Sequence, residues 1–464
     1  MAALLALALG LGAPAQAQSG WADEVIYFVM LDRFADGDPT NNTGVDTANP
    51  VAFHGGDLSG LTAALDEIDD LGATAIWVSP LVAQIPGSVA SDAGPFFAHH
   101  GYWANDFSRL DARFGTEAEL AALVTAAHAR GIRVILDVVY NHVGYGADWT
   151  RDNPEWLRQG DDCGGDPVTA CIFGLPDIRT ELAAVRRALF AAHIGLAERT
   201  GLDGFRLDTV KHVSHDFWRA HAAEVRARLG PDFLLLGEVW DGDKYLARPY
   251  FEGGELDALL DFGFRDRMLK FLTGVSDAAR LGRYLSNRHK VAPGTLLAPF
   301  LSNHDMPMLL AMLRGDRDRQ LLAATALLTA PGLPVIAWGE EVGRRGGLWP
   351  DNRQDMPWGD RPMPPGAGDP RDEPMRAAYK ALIALRRDTP ALRENGVAVL
   401  AASGGRLALE RGPAARVFFN RGPDAWDLAD LLGDGWSPAF ATQPMQGSDL
   451  PAAAAAVFLR TPPA

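Results

Sequence analysis

The sequence predicts an α/β protein: a (β/α)8 TIM barrel with a short excursion domain after strand 3 and a small C-terminal β domain. Short apolar or β-branched runs alternate with longer Ala- and Leu-rich amphipathic stretches over about 350 residues, which argues for a parallel sheet. Eight such runs form one continuous series, and eight strands close a barrel more readily than they extend an open sheet. No glycine-rich fingerprint follows the first run, which weighs against a dinucleotide-binding sheet.

In chain order the expected strands are 25–31, 74–79, 133–138, 204–208, 233–238, 258–262, 296–301 and 334–338. Helical periodicity marks 116–130, 181–200, 214–229 and 317–329 between them. Residues 143–178 lack that periodicity and are rich in Gly, Asp and Pro, and so long a loop in a barrel is usually functional. Beyond 388 the pattern changes to short strand-like pieces at 397–401 and 415–419, while the Ala run 452–456 is expected to fray. The division is therefore a leader at 1–17, a barrel at 18–142 and 179–388, an excursion at 143–178 and a β domain at 389–464.

The chain has 464 residues, 47% of them hydrophobic, and a net charge of −16, enough to bury a large core. That charge excludes nucleic acid, because nothing here could neutralise a run of phosphates. Residues 1–18 are apolar and contain Ala15-Gln16-Ala17, which reads as a signal peptide cleaved near Ala17, although the first basic residue is Arg33. A secreted or periplasmic protein follows, without membrane insertion since no other run could span a bilayer. The two cysteines, Cys163 and Cys171, share a Gly- and Asp-rich loop and favour a disulfide in an exported protein.

Four acids fall at or just past expected strand ends: Asp137 in DVVYNH, Asp208 in GFRLD, Glu238 in LLLGEVW and Asp305 in LSNHD. A barrel brings such positions together on its C-terminal face. Glycoside hydrolysis needs two carboxyl groups there, one neutral to protonate the leaving oxygen and one anionic at the sugar carbon. Arg206 precedes Asp208 by two residues and shares its face of the strand, which suits a nucleophile. Glu238 ends an apolar strand, where burial favours the protonated acid.

The segments DVVYNH, GFRLDTVKH, GEVW and SNHD resemble, in order, the four signature regions of the α-amylase family (glycoside hydrolase family 13), and bacterial and fungal α-amylases most of all. TAIWVSP, HGYW, LPD and GLPVIAWGEE extend the resemblance over most of 24–360. It implies a retaining enzyme that cleaves α-1,4-glucosidic bonds in starch-like α-glucans and maltodextrins, acting within the chain and as a monomer. Asp208 would be the nucleophile, Glu238 the acid/base and Asp305 the acid that holds the distorted sugar's hydroxyls. His142 and His304 would bind hydroxyls of that sugar, Arg206 would hold Asp208, and Arg353 lies in a retained Asn-Arg segment. Tyr102 would be a platform for the ring with Trp103 close by, and Lys211 with His212 would serve the leaving-group side.

The resemblance also implies Ca2+ at two places. Asn141, Asp177 and the carbonyl of His212 match a site joining the excursion to the barrel. Asp36, Asp38, Asn41, Asn42, the Gly55 carbonyl and Asp57 match a second, and hard oxygen donors suit Ca2+ in both.

Met308 stands where many relatives carry Arg, and Trp349 where an Asp often binds a distal glucose, so product pattern is left open. A transglycosylase of cyclodextrin-forming type is the nearest alternative; the chain stops soon after its third domain, which favours hydrolysis. A non-catalytic glucan-binding homologue would be expected to have lost one of the three acids. An aldolase-like metal barrel would need a catalytic Lys or a phosphate-binding loop.

Overall fold

A computed structural model describes residues 20–240, 244–290 and 295–461; the expected leader at 1–17 and the closing Pro-Pro lie outside the described residues. The eight expected runs all appear as parallel strands: β1 (Ile26–Val29), β2 (Ala75–Val78), β3 (Arg133–Val138), β4 (Gly204–Leu207), β5 (Leu234–Gly237), β6 (Ala258–Asp261), β7 (Leu296–Pro299) and β8 (Val335–Ala337). Each pairs with its sequence neighbour, β1 pairs with β8, and a parallel bridge from Phe300 to Val335 closes the ring. The strands read as unbroken apolar runs because one face fills the barrel and the other meets helices.

Local signals fix the helices. Thr116 and Glu119 form a reciprocal capping box at the start of Glu117–His128, and the Ser214 hydroxyl accepts from Phe217 N at the start of His215–Leu229. Ala183–Thr200 ends at Gly201, whose φ of 78° supplies the left-handed turn. One feature has no counterpart in the periodicity. After β2 the chain makes an antiparallel pair, Val82–Gln84 with Ala104–Leu110, capped by the hairpin Ser88–Ser91/Gly94–Phe97. It carries HGYW to the barrel mouth.

In the excursion, Leu157–Arg158 pairs antiparallel with Asp177–Ile178, and Cys163 is disulfide-bonded to Cys171. The C-terminal sheet holds β9 (Val397–Ser403), β10 (Arg406–Arg411), β11 (Ala415–Asn420), β12 (Trp436–Ala441) and β13 (Ala454–Arg460) in the order β9-β10-β11-β13-β12. The fraying expected at 452–456 does not occur at 454–456, which open β13. β13 is an interior strand, paired on both edges, and Ala454, Ala455 and Ala456 are fully buried. Alternate residues face opposite layers: Ala455 and Val457 join the main core, whereas Ala454, Ala456 and Phe458 meet Phe418, Leu428 and Leu450. Small side chains suit a strand covered on both faces.

Candidate active site

The site is organised around one guanidinium. Arg206 is fully buried, and three carboxylates from the ends of β3, β4 and β5 surround it. Its Nη1 lies 3.0 Å from Asp137 Oδ1 and 2.8 Å from Asp208 Oδ1, and its Nη2 lies 2.8 Å from Glu238 Oε1. The parallel register sets this arrangement, since Arg206 stands opposite Asp137 on one side and Leu236 on the other. A buried guanidinium needs such partners, and its fork geometry fixes the carboxylates in turn.

Asp137 is held further by Trp77 Nε1 (3.0 Å) and the Tyr102 hydroxyl (2.7 Å), both donating to Oδ2. Trp77 lies inside TAIWVSP, a segment to which the sequence alone assigns no role. Burial pushes Asp137 up to about 7 against the pull of Arg206. Burial likewise pushes Glu238 up to about 8; Arg206 opposes this, and Asp208 and Asp305 add to it. Glu238 is therefore a carboxylic acid at neutral pH. Directly after Asp208 the chain turns at Thr209, a β-branched residue at φ 47°, and Thr209 N donates to Glu238 Oε2 at 3.2 Å. Backbone strain at such a residue is stored only where the surroundings impose it.

Asp305 completes the mouth from the loop after β7, with its side chain 32% exposed. His304 Nε2 lies 3.1 Å from one oxygen and Arg353 Nη2 3.2 Å from the other. Burial opposes a charge on Asp305, yet His304 and Arg353 hold its carboxyl below the usual range. Because burial drives His304 down to about 3, the lasting cation beside Asp305 is Arg353. Arg353 Nε and Asn352 Nδ2 also donate to the His304 carbonyl, at 3.0 and 2.7 Å.

Tyr102 is half-buried and stacks on His304, centroids 5.0 Å apart and planes within 8°. Trp103 differs from expectation. It is 8% exposed and sits among Phe96, His100 and Tyr145, so it supports the wall and offers no platform. His142 lies behind Tyr102, with one ring nitrogen 3.1 Å from the Tyr102 carbonyl and the other 3.2 Å from Asn141 Oδ1. Lys211 Nζ donates to the Trp240 carbonyl at 3.2 Å, and the His212 ring contacts the Pro167 carbonyl at 2.8 Å.

The two expected calcium sites differ in how well their residues fit an ion. In the 36–57 loop three side-chain oxygens, Asp36 Oδ1, Asn41 Oδ1 and Asn42 Oδ1, are buried without a hydrogen-bond partner. Their orientation is forced: Asn41 Nδ2 donates to Asp57 Oδ2 (2.9 Å) and Asn42 Nδ2 to Asp36 Oδ2 (2.6 Å), so neither amide can turn round. Gly55, at φ 98°, comes so close that a Cβ would stand 2.7 Å from Asn42 Oδ1. Orphaned hard oxygens in one loop fit Ca2+. Two expected ligands depart from this set. Asp57 accepts four hydrogen bonds, from Gly37 N, Gly60 N, Asp38 N and Asn41 Nδ2, and so orients the loop and caps a helix. Asp38 Oδ1 is taken by the N–H and hydroxyl of Thr40.

At the excursion junction Asn141, Asp177 and the His212 carbonyl do come together, but as a closed set. Asn141 Nδ2 donates to Asp177 Oδ1 and to the His212 carbonyl, both at 3.0 Å. Asp177 Oδ2 is paired with Arg158 Nη1 at 2.7 Å. Asn141 Oδ1 faces the His142 ring at 3.2 Å, so each side-chain oxygen of the set already has a polar neighbour, and these residues do not fit an ion without rearrangement. Sequence reasoning missed Arg158; its only signal was a basic residue inside an acidic loop.

Comparison with known proteins bears on the whole barrel. The family model of the α-amylase catalytic domain matches residues 28–159 and 169–375. A cyclomaltodextrinase of Geobacillus thermopakistaniensis is 31% identical over 83% of this chain and 66% of its own length. The chain thus spans about two thirds of that relative. A solved α-amylase of Anoxybacillus superposes with a TM-score of 0.82 at 31% identity, covering 96% of this chain and 99% of that one. A cyclomaltodextrin glucanotransferase described as having a three-domain distribution superposes at 0.79 with 25% identity, covering 94% and 99%.

Proposed function

We propose that this chain, which belongs to the α-amylase family, is a retaining glycosidase that hydrolyses internal α-1,4-glucosidic bonds of starch-like glucans and maltodextrins. The observation that carries the reading is Arg206, which orients the Asp208 carboxyl group beside a buried acid, Glu238, whose pKa burial raises. Asp208 attacks the anomeric carbon while Glu238 gives its proton to the departing glycosidic oxygen, leaving a β-glycosyl ester on Asp208. Glu238, now anionic, takes a proton from water, which attacks the same carbon, breaks its bond to Asp208, releases the Asp208 carboxylate and restores the α configuration. Asp305, kept ionised by Arg353, faces the cleft and accepts hydroxyls of the distorted sugar as positive charge builds on the ring. Tyr102, half-buried and stacked on His304, would meet that sugar with the part of its ring that stays exposed.

Proton NMR of products from maltooligosaccharides tests this directly: the α-anomer is expected first. Initial β-anomer, or no new reducing ends from any α-glucan, would remove the reading. The second reading, transfer to a sugar acceptor, keeps a specific support. The three-domain glucanotransferase cancels the argument from domain number, since a transferase of that layout matches this fold over nearly its full length. Cyclic products on long amylose would favour it.

We place Ca2+ in the 36–57 loop, held by Asp36, Asn41 and Asn42 with the Gly55 backbone close by, where it would offset the Asp36 charge and fix the loop. Metal that binds only the folded state raises its stability by mass action. Excess chelator is therefore expected to lower the Tm of the wild type and to leave that of Asp36→Asn unchanged; equal shifts in both would refute the assignment. Export from the cytoplasm is supported by the Cys163–Cys171 disulfide. No helix among the described residues is long and apolar enough to cross a membrane.

A further inference from the structure

The junction between excursion and barrel has an organisation that the signature segments do not announce. Arg158 lies on the short strand Leu157–Arg158, paired with Asp177–Ile178, and its side chain is 12% exposed. One arm of its guanidinium meets Asp177 Oδ2 at 2.7 Å and the other meets Glu181. Asp177 is itself buried, and its second oxygen takes the Asn141 amide, which also reaches the carbonyl of His212. Asn141 Oδ1 lies 3.2 Å from the ring of His142. A single line of contacts thus runs from the excursion through Arg158, Asp177 and Asn141 to the β4 loop that follows Asp208.

We propose that Arg158 is a covalently built-in cation that takes the place of a divalent metal at this junction, so that the excursion is fastened to the barrel without calcium. Three physical points support this. A buried Asp177 needs a compensating positive charge, and Arg158 supplies it within hydrogen-bond distance. A planar guanidinium can serve two carboxylates at once, as it does for Asp177 and Glu181. The remaining oxygens of the set already accept from Asn141 Nδ2, so an ion could enter only by expelling the guanidinium and turning the amide. The contrast with the 36–57 loop, where three buried oxygens have no donor, is internal to the same chain. Neighbouring contacts reinforce the fastening. Arg179 Nε donates to the Leu157 carbonyl at 3.2 Å, and the disulfide closes the loop just beyond Arg158.

The inference is independent of the proposed glycosidase activity, and its test reads metal and loop protection. Chelator-stripped wild type, Asp177→Asn and Asp36→Asn are equilibrated with Ca2+ and the bound ions counted. Asp177→Asn is expected to bind as many ions as the wild type, and Asp36→Asn none. One ion fewer in Asp177→Asn, or one ion retained in Asp36→Asn, overturns the proposal. No ion in the wild type sinks the 36–57 site and upholds the metal-free junction, so the two failures are distinguishable. Should Asp177→Asn not fold, Asp36→Asn alone decides. Arg158→Met, which keeps the apolar stem, is expected to raise the rate of limited proteolysis within 143–178 about tenfold in chelator-stripped protein. Unchanged cleavage would overturn it.

Discussion

Asp208→Asn is expected to lower kcat by about four orders of magnitude or more, the scale of nucleophile deletions, or about 5 kcal/mol of barrier. The substitution is close to isosteric. The amide oxygen can still accept from Arg206 Nη1, which now stands 2.8 Å from Asp208 Oδ1, so the barrel mouth keeps its shape. What is lost is the anion that bonds to the anomeric carbon. An amide oxygen is a poor nucleophile, and no glycosyl ester can form on it. On the proposed reading substrate is held by Tyr102, His304, Arg353 and Asp305, none of which the change alters, so affinity for a maltooligosaccharide should stay within a few-fold. Initial rates on soluble starch, with affinity measured by calorimetry on the inactive variant, check both halves. Near-normal turnover would show that another residue attacks.

The acids were legible because of where strands end. Asp208 and Glu238 each directly follow a buried strand and Asp137 stands next to the last residue of its own, and the two-residue spacing of Arg206 and Asp208 fixes their common face. What the sequence hid was decided by contacts across the chain. Whether Tyr102 or Trp103 faces the cleft depends on an antiparallel insertion whose hairpin, not periodicity, turns Trp103 inward. The Ala run at 452–456 looked unstructured because it lacks large side chains, yet β13 is squeezed between two layers and needs small ones. Asp57 sits just before the helix Leu58–Ala63 and fills its N-cap, a signal that competes with ligand character in the same residue. Arg158 finds Asp177 nineteen positions away through a loop without period, and no spacing rule reaches that far.

Glu238→Gln is the sharper test of proton placement, because it should slow the enzyme and stabilise it at once. Loss of the general acid is expected to cost about 10^2- to 10^4-fold in kcat on unactivated glucans. It should cost much less on a substrate whose leaving group needs no proton, and equal losses on both would deny Glu238 the acid's role. The pH dependence has a definite sign. Burial puts Glu238 at about 8, so the active, protonated form is lost and kcat/KM falls as pH rises through that value. Stability follows the same group. A carboxyl whose folded pKa lies above its unfolded value binds a proton that the unfolded chain has released, so it lowers stability progressively from the ordinary carboxylate range up to about 8. Asp137, Glu340 and Glu341, each pushed by burial to about 7, act in the same direction. The buried His193, His221 and His304, pushed down to about 3, act oppositely, but only below the usual histidine pKa near 6.5. Above that pH the carboxyls act against stability unopposed by these histidines. The Tm of the wild type should therefore fall between about pH 6.5 and pH 8.5, and Glu238→Gln, which has no proton to lose, should fall less and melt higher at the alkaline end. Thermal melts across that window decide it: identical slopes in the two proteins would show that the Glu238 proton is not held by the fold.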